Sequence, residues 1–158
     1  MATFIYNINP YVPMITTIEL KRIISSTKIL KSIPRKKYLT EMDLLRLQKA
    51  LLMCRMCANS TFLVDKQGPG YSSKLDELNE LLNQLMAEED RKIVLFSEWT
   101  TMLNLIEPLL EKQNLNYVRL DGSVPQKKRQ GLMHQFQKDP DCKLFITTNA
   151  GATGLNLQ

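Results

Sequence analysis

From Lys92 onward the chain alternates between two hydrophobic periods. KIVLFSE (92–98), NYVRLDG (116–122) and KLFITTN (143–149) are short apolar runs of β-forming residues. Between them lie WTTMLNLIEPLLEKQN and PQKKRQGLMHQFQKD, which carry helical spacing. Pro108 predicts a kink or a break in the first helix. Pro125 is expected at the first position of the second, with Leu132, Met133 and Phe136 on its buried side. Strands alternating with such helices predict an α/β fold: βαβ units, a parallel sheet covered on both faces, and right-handed crossovers. In such sheets ligands sit beyond the carboxyl ends of the strands. Three loops qualify here: Ser97 to Trp99, Asp121 to Ser123, and Thr147 to Asn156.

The residues ahead of this unit read differently. EMDLLRLQKALLMCRMCA (41–58) predicts a helix with Thr40 as N-cap and Glu41 and Asp43 favouring its dipole. Leu44, Leu47, Leu51 and Cys54 recur at helical spacing along it. DKQGPGYSS (65–73) is a loop. Ser73 is expected to cap a second helix with an apolar stripe at 75, 78, 81, 82 and 85. Residues 1–40 are poorly defined: Pro10, Pro13 and Pro34 exclude a long helix, and MITTIEL is a candidate strand. The expected organisation is a basic N-terminal segment (1–40), a helical lead-in (41–90) and an α/β region (91–158).

Charge follows this division. Residues 1–70 carry 11 Lys/Arg against 4 Asp/Glu, whereas residues 71–158 carry 10 against 12. A basic arm suits a polyanionic partner. No apolar run reaches the roughly 18 residues of a membrane span. The N-terminus does not read as a signal peptide, so a cytoplasmic location is expected. Cys54 and Cys57 form a CxxC within the helical stretch, without a second pair to complete a zinc site. Packing is the expected role of the cysteines.

Three stretches could carry chemistry. In FSEW, the Ser97 hydroxyl follows a buried strand and could face a phosphate or cap the next helix. In RLDGSVPQKKR, Gly122 permits a tight turn and Ser123 could cap the helix at Pro125. Lys127, Lys128 and Arg129 then sit in the first turns, where cations oppose the helix dipole. That placement suits an anion ligand, or a solvated basic patch. In TTNAGATGLNLQ, Gly151 and Gly154 allow close approach of backbone to phosphate. Thr147, Thr148 and Asn156 add polar groups. An ordinary βα turn is the other reading.

These three stretches, in this order and spacing, resemble motifs IV, IVa and V of the Swi/Snf-type ATPases of helicase superfamily two. LLRLQKALLMCRMCANSTFLVDK followed by SSKLDELNELL resembles the helices leading into the second lobe, especially in bacterial members. The resemblance implies a RecA-like, P-loop NTPase-type second helicase lobe, incomplete after motif V. Such a cut is expected to leave a sheet edge uncovered and the isolated chain marginally stable. By resemblance, Ser97, Asp121, Gly122 and Ser123 lie along the tracked strand of double-stranded DNA, with Lys128 and Arg129 as nearby phosphate contacts. Thr147, Thr148 and Gly151 touch the phosphate backbone, and Gly154 and Asn156 lie near the interlobe nucleotide. Ala152 stands where the family often has a second glycine.

A phosphoryl-transfer motor needs a phosphate cradle and a Mg²⁺-holding carboxylate. The GxxxxGK[ST] pattern is absent from these residues, as is an Asp-Glu pair at a strand end. By resemblance, ATP and Mg²⁺ belong to a first RecA-like lobe supplied in cis or in trans, and an arginine-bearing motif VI is also missing. This chain alone is therefore expected to be inactive. It would serve as the half of an ATP-dependent DNA translocase that grips phosphates and closes on bound ATP, nucleoid-associated if bacterial. The alternative is a non-enzymatic module that binds nucleic acid or protein. An unrelated nucleotide-binding domain ranks last, because Gly151 to Gly154 is not GxGxxG and follows the third strand.

Overall fold

The computed structural model describes residues 2–5, 38–68, 70–87 and 91–149. In chain order these residues form strand β1 (Ala2–Ile5), helix α1 (Glu41–Cys57), a short 3-10 helix (Thr61–Leu63) and helix α2 (Ser73–Met86). Then come β2 (Lys92–Ser97), α3 (Thr100–Lys112), β3 (Tyr117–Leu120), α4 (Gln126–Lys138) and β4 (Leu144–Thr148). They fall into two compact units, divided between Lys74 and Leu75, with β1 belonging to the later unit.

In the later unit all four strands are parallel, in the order β1-β2-β4-β3. β4 is central and buried at every position, as its unbroken apolar run requires in a sheet covered on both faces. The crossover β2-α3-β3 passes over β4, and β3-α4-β4 returns. If both are right-handed, the two helices lie on opposite faces. Side chains agree. Met133 and Phe136 of α4 cluster with Val94, Val118, Leu120 and Phe145, with Leu132 partly buried against them. The alternate positions Ile93, Leu144 and Ile146 are fully buried and belong to the other face, where α3 packs on β2 and β4. From α3 that face receives Met102, Leu103, Ile106 and Leu110. Each such side chain contributes about 1.5–3 kcal/mol on burial.

The three strands and two helices expected beyond Lys92 are all present. α3 runs unbroken through Pro108, so of the two expected outcomes, a kink or a break, the break does not occur. Proline there removes the hydrogen bond to the Asn104 carbonyl, and both residues are exposed, so water can replace the donor. The helix ends in a Schellman motif: Leu115 N–H donates to Leu110 O at 2.9 Å and Asn114 N–H to Glu111 O at 3.0 Å. Asn114 takes the left-handed conformation at φ 53°. At the other end of the unit, β1 is a strand that the sequence reading did not anticipate. The candidate strand MITTIEL lies outside the described residues.

In the earlier unit, Thr40 and Asp43 form a reciprocal capping box at the start of α1. The expected stripe is corrected. Leu44 and Leu51 are exposed, and burial instead follows Asp43, Leu47, Ala50 and Cys54. Leucines stand all round this helix, so their spacing could not identify the inner face. Ser60 caps the 3-10 helix by accepting from Phe62 N–H. The 65–73 loop is closed by Thr61 and Tyr71, whose N–H groups donate to Tyr71 O and Thr61 Oγ1. No helix among the described residues is long and apolar enough to cross a membrane.

Candidate functional site

Parallel pairing brings the ends of β2, β3 and β4 to one edge of the sheet. Ser97 lies opposite Thr148, and Leu120 opposite Thr147. The Ser97–Trp99 and Asp121–Ser123 segments leave from this edge. α4 runs back from it, so the helix begins there with Lys127, Lys128 and Arg129.

The loop after β2 is held locally. The Ser97 hydroxyl accepts from Trp99 N–H at 3.1 Å and lies 3.2 Å from Trp99 O. Trp99, not Ser97, occupies the N-cap position of α3. The Ser97 side chain is half-buried.

The loop after β3 is held by a network. Asp121 is 3% exposed. Its Oδ2 accepts from Arg119 Nε at 2.9 Å and Nη2 at 2.8 Å. Its Oδ1 accepts from Ser123 N–H at 2.9 Å and Ser123 Oγ at 2.5 Å. The Ser123 hydroxyl bond, joined by its N–H and by Arg119, holds the Asp121 carboxyl below the usual range, against the effect of burial. On its other side Arg119 Nη1 donates to Glu107 Oε2 of α3 at 2.6 Å. Tyr117 O–H donates to Glu107 Oε1 at 3.2 Å. Burial works against the Arg119 charge, but Asp121 and Glu107 outweigh it and push its pKa up. Burial, then Glu107, raises the Tyr117 hydroxyl. Val124 N–H donates to Asp121 O at 3.2 Å and closes the turn that exposes Gly122 and Ser123.

Two expectations about this loop are corrected. Ser123 does not cap α4, because its hydroxyl is bound to Asp121. Pro125 is the N-cap, not the first helical residue: its ψ of 143° is not helical. α4 has no acidic residue in its first turn and no side-chain cap among the described residues; Lys128 N–H donates to Pro125 O at 2.9 Å, and the N–H groups of Gln126 and Lys127 lie at the open start of the helix. Lys127 and Lys128 are exposed. Arg129 is half-buried and donates from Nε to Val124 O at 3.1 Å.

Thr147 is fully buried. Its hydroxyl donates to Leu120 O at 2.6 Å and is also 3.2 Å from Thr148 O. That ties β4 to the end of β3, and it commits the hydroxyl that the sequence reading offered to a phosphate. Thr148 is 4% exposed. Gly151, Ala152, Gly154 and Asn156 lie outside the described residues.

Three functional or supporting residues escaped the sequence reading. Arg119 had one signal, a charge inside an apolar strand. Glu107 had a similar one, a carboxylate within NLIEPLL. Lys92 had none: its ammonium donates to the carbonyls of Phe136 and Asp139 and sits 5.3 Å from the Phe136 ring centre, closing the end of α4. Cys54 and Cys142 are free thiols, and burial raises the Cys142 pKa.

With this geometry in view, comparison with known proteins is specific. Residues 73–158 match the helicase conserved C-terminal domain. The chain belongs to that family, and to its Swi/Snf-type branch. It is 44% identical over 87 residues to the ATP-dependent helicase fft2 of Schizosaccharomyces pombe, covering 54% of this chain and 7% of that protein. It is 38% identical over 107 residues to a Danio rerio protein, the SWI/SNF-related matrix-associated actin-dependent regulator of chromatin subfamily A containing DEAD/H box 1A. That match covers 66% of this chain and 11% of the relative. The chain thus spans a small part of these relatives. Among solved structures, the C-terminal domain of the Sulfolobus solfataricus SWI2/SNF2 ATPase aligns with TM-score 0.70 at 20% identity, over 99% of this chain and 67% of that one. The core of that ATPase in complex with dsDNA aligns with TM-score 0.70 at 20% identity, over 94% and 31%. The fold is the RecA-like second lobe.

Proposed function

We propose that this chain is the second lobe of an ATP-dependent motor that moves along double-stranded DNA. One observation carries the reading. The basic, acid-free start of α4 stands at the carboxyl edge of a parallel sheet, beside the exposed turn Gly122–Ser123. Ser97, Gly122, Ser123, Lys128 and Arg129 supply the face toward phosphates. Asp121 and Thr147 shape it from beneath, since both side chains are buried and bonded within the protein. By resemblance, Thr148 and Gly151 would touch the phosphate backbone, and Gly154 and Asn156 would lie near the nucleotide. The fft2 protein is described as ATP-dependent, and the Sulfolobus solfataricus core was solved with dsDNA. Both support the choice of ATP and of duplex.

ATP and Mg²⁺ would be held by a first lobe, because these 158 residues contain no GxxxxGK[ST] cradle. Closing the second lobe on that nucleotide would couple its turnover to the grip on DNA. The site of action is the DNA-bearing compartment, the nucleoid in a bacterium. Domain organisation follows the same reading: an N-terminal basic segment whose residues Ala2–Ile5 join the lobe's sheet as β1, a helical lead-in to about residue 90, and the lobe itself.

The test is duplex binding by the chain across a range of salt, with Lys128→Ala and Arg129→Ala together. The expected result is weaker binding and a salt slope shallower by about 2. An unchanged affinity and slope would sink the phosphate role of α4. Joining the chain to a first lobe and to a segment that carries the motif VI arginine should then restore DNA-stimulated hydrolysis. Binding without any stimulation favours the second reading, a non-enzymatic binding module.

A further inference from the structure

We propose that Glu107 and Arg119, which touch no ligand in this reading, are positioning residues that set the grip of the lobe on a polyanion. The inference rests on the DNA-binding reading and adds a mechanism to it. Arg119 points to the α3 face of the sheet, since Val118 and Leu120 point to the α4 cluster. There it bridges Glu107 on α3 and Asp121 at the end of β3. From Asp121 the connection turns around the strand end: Oδ1 holds both the amide and the hydroxyl of Ser123. The Asp121 carbonyl holds Val124 N–H, and the Val124 carbonyl accepts from Arg129 Nε. A continuous chain of bonds thus runs from one face of the sheet to a cation at the start of the helix on the other.

Each link has directional geometry. The guanidinium meets Asp121 through two nitrogens, so its plane and that of the carboxylate are fixed together. Glu107 occupies the remaining end of the fork and stops the guanidinium from turning away. Its carboxylate is partly exposed, so as an ion pair it adds little stability. Its effect is orientation.

This yields a prediction of sign. Glu107→Gln raises the net charge by one, and simple electrostatics then tightens binding to a polyanion. A positioning role predicts the reverse. The full chain should be titrated with duplex DNA at several salt concentrations, comparing wild type, Glu107→Gln, Arg119→Lys and Lys128→Ala. Thermal melts and stoichiometric titration would separate unfolded protein from weakened binding. Glu107→Gln should weaken binding between about twofold and thirtyfold. Arg119→Lys, which keeps the charge and loses the fork, should do the same. Neither should change the salt slope, because neither loses a phosphate contact. Lys128→Ala should flatten it by about 1. The double variant Glu107→Gln/Arg119→Lys should be little weaker than either single one, as expected for one coupled device.

Binding by Glu107→Gln as tight as wild type, or tighter, overturns the positioning role. If Lys128→Ala is weakened in the same experiment, the DNA-binding reading stands without it. If wild type and Lys128→Ala bind alike, the DNA-binding reading falls, and this inference with it.

Discussion

The loops that leave β2 and β3 start from the same edge of one sheet, yet they are built to different standards. After β2, a single hydroxyl bonds the backbone two residues on. After β3, a buried carboxylate gathers a guanidinium, an amide and a hydroxyl, and a second carboxylate braces the guanidinium. The first arrangement is local and can be remade after small movements of α3. The second depends on three elements at once, so the turn it holds cannot drift while they stay packed. Rigidity at this edge is thus concentrated on the turn that leads into the basic helix.

Substitutions can break this contrast, and the largest effect is expected at Asp121. Asp121→Ala leaves Arg119 without its main partner and Ser123 without its acceptor. Denaturant unfolding should show a loss of about 2–4 kcal/mol. Acid should reveal the same group. Its folded pKa is depressed, so its contribution is complete above the unfolded value of about 3.9 and fades as pH falls through the lower folded value. In Asp121→Asn that acid-sensitive part of the stability should be missing when melts are compared from neutral pH downward.

A smaller loss is expected beneath the loop. Thr147→Val keeps the shape but removes the hydroxyl bond to the Leu120 carbonyl, and should cost about 1–2 kcal/mol by denaturant unfolding. The smallest is expected after β2, where Ser97→Ala should cost about 0.5–1 kcal/mol. If Ser97→Ala proved as harmful as Asp121→Ala, the contrast between the loops would collapse.

Much of the sheet was readable from hydrophobic period alone. KIVLFSE and KLFITTN became β2 and β4, because a strand covered on both faces leaves an apolar run, and NYVRLDG became β3 with only Val118 and Leu120 buried. Helix α4 was readable from Met133 and Phe136 at helical spacing. α1 was legible as a helix and through Thr40, but not in its orientation, since Leu44, Leu45, Leu51 and Leu52 are exposed alongside a buried Ala50. β1 escaped notice because four residues before a proline-containing stretch give no period to count.

The candidate site was less legible. Its proposed location was argued from strand polarity, and Lys128 is exposed at the start of α4. What each side chain does there was hidden. Thr147 looked like a surface donor, but the strand's last turns are covered and its hydroxyl is satisfied internally. Glu107 and Arg119 are separated by 12 positions, and no local rule links a helix carboxylate to a strand guanidinium across a turn.

The strand order also governs how the chain can be made. β2 and β3 are not hydrogen-bonded to each other; β4, the last of the three in sequence, lies between them. A ribosome delivering this chain exposes β2, then α3, then β3, while the slot that joins them is still empty. Until Thr148 has emerged, the apolar faces of both crossover helices lack the strand on which the sheet centres. The nascent chain is therefore at its most adhesive during this interval, and slower translation across residues 117–148 would lengthen its need for a chaperone.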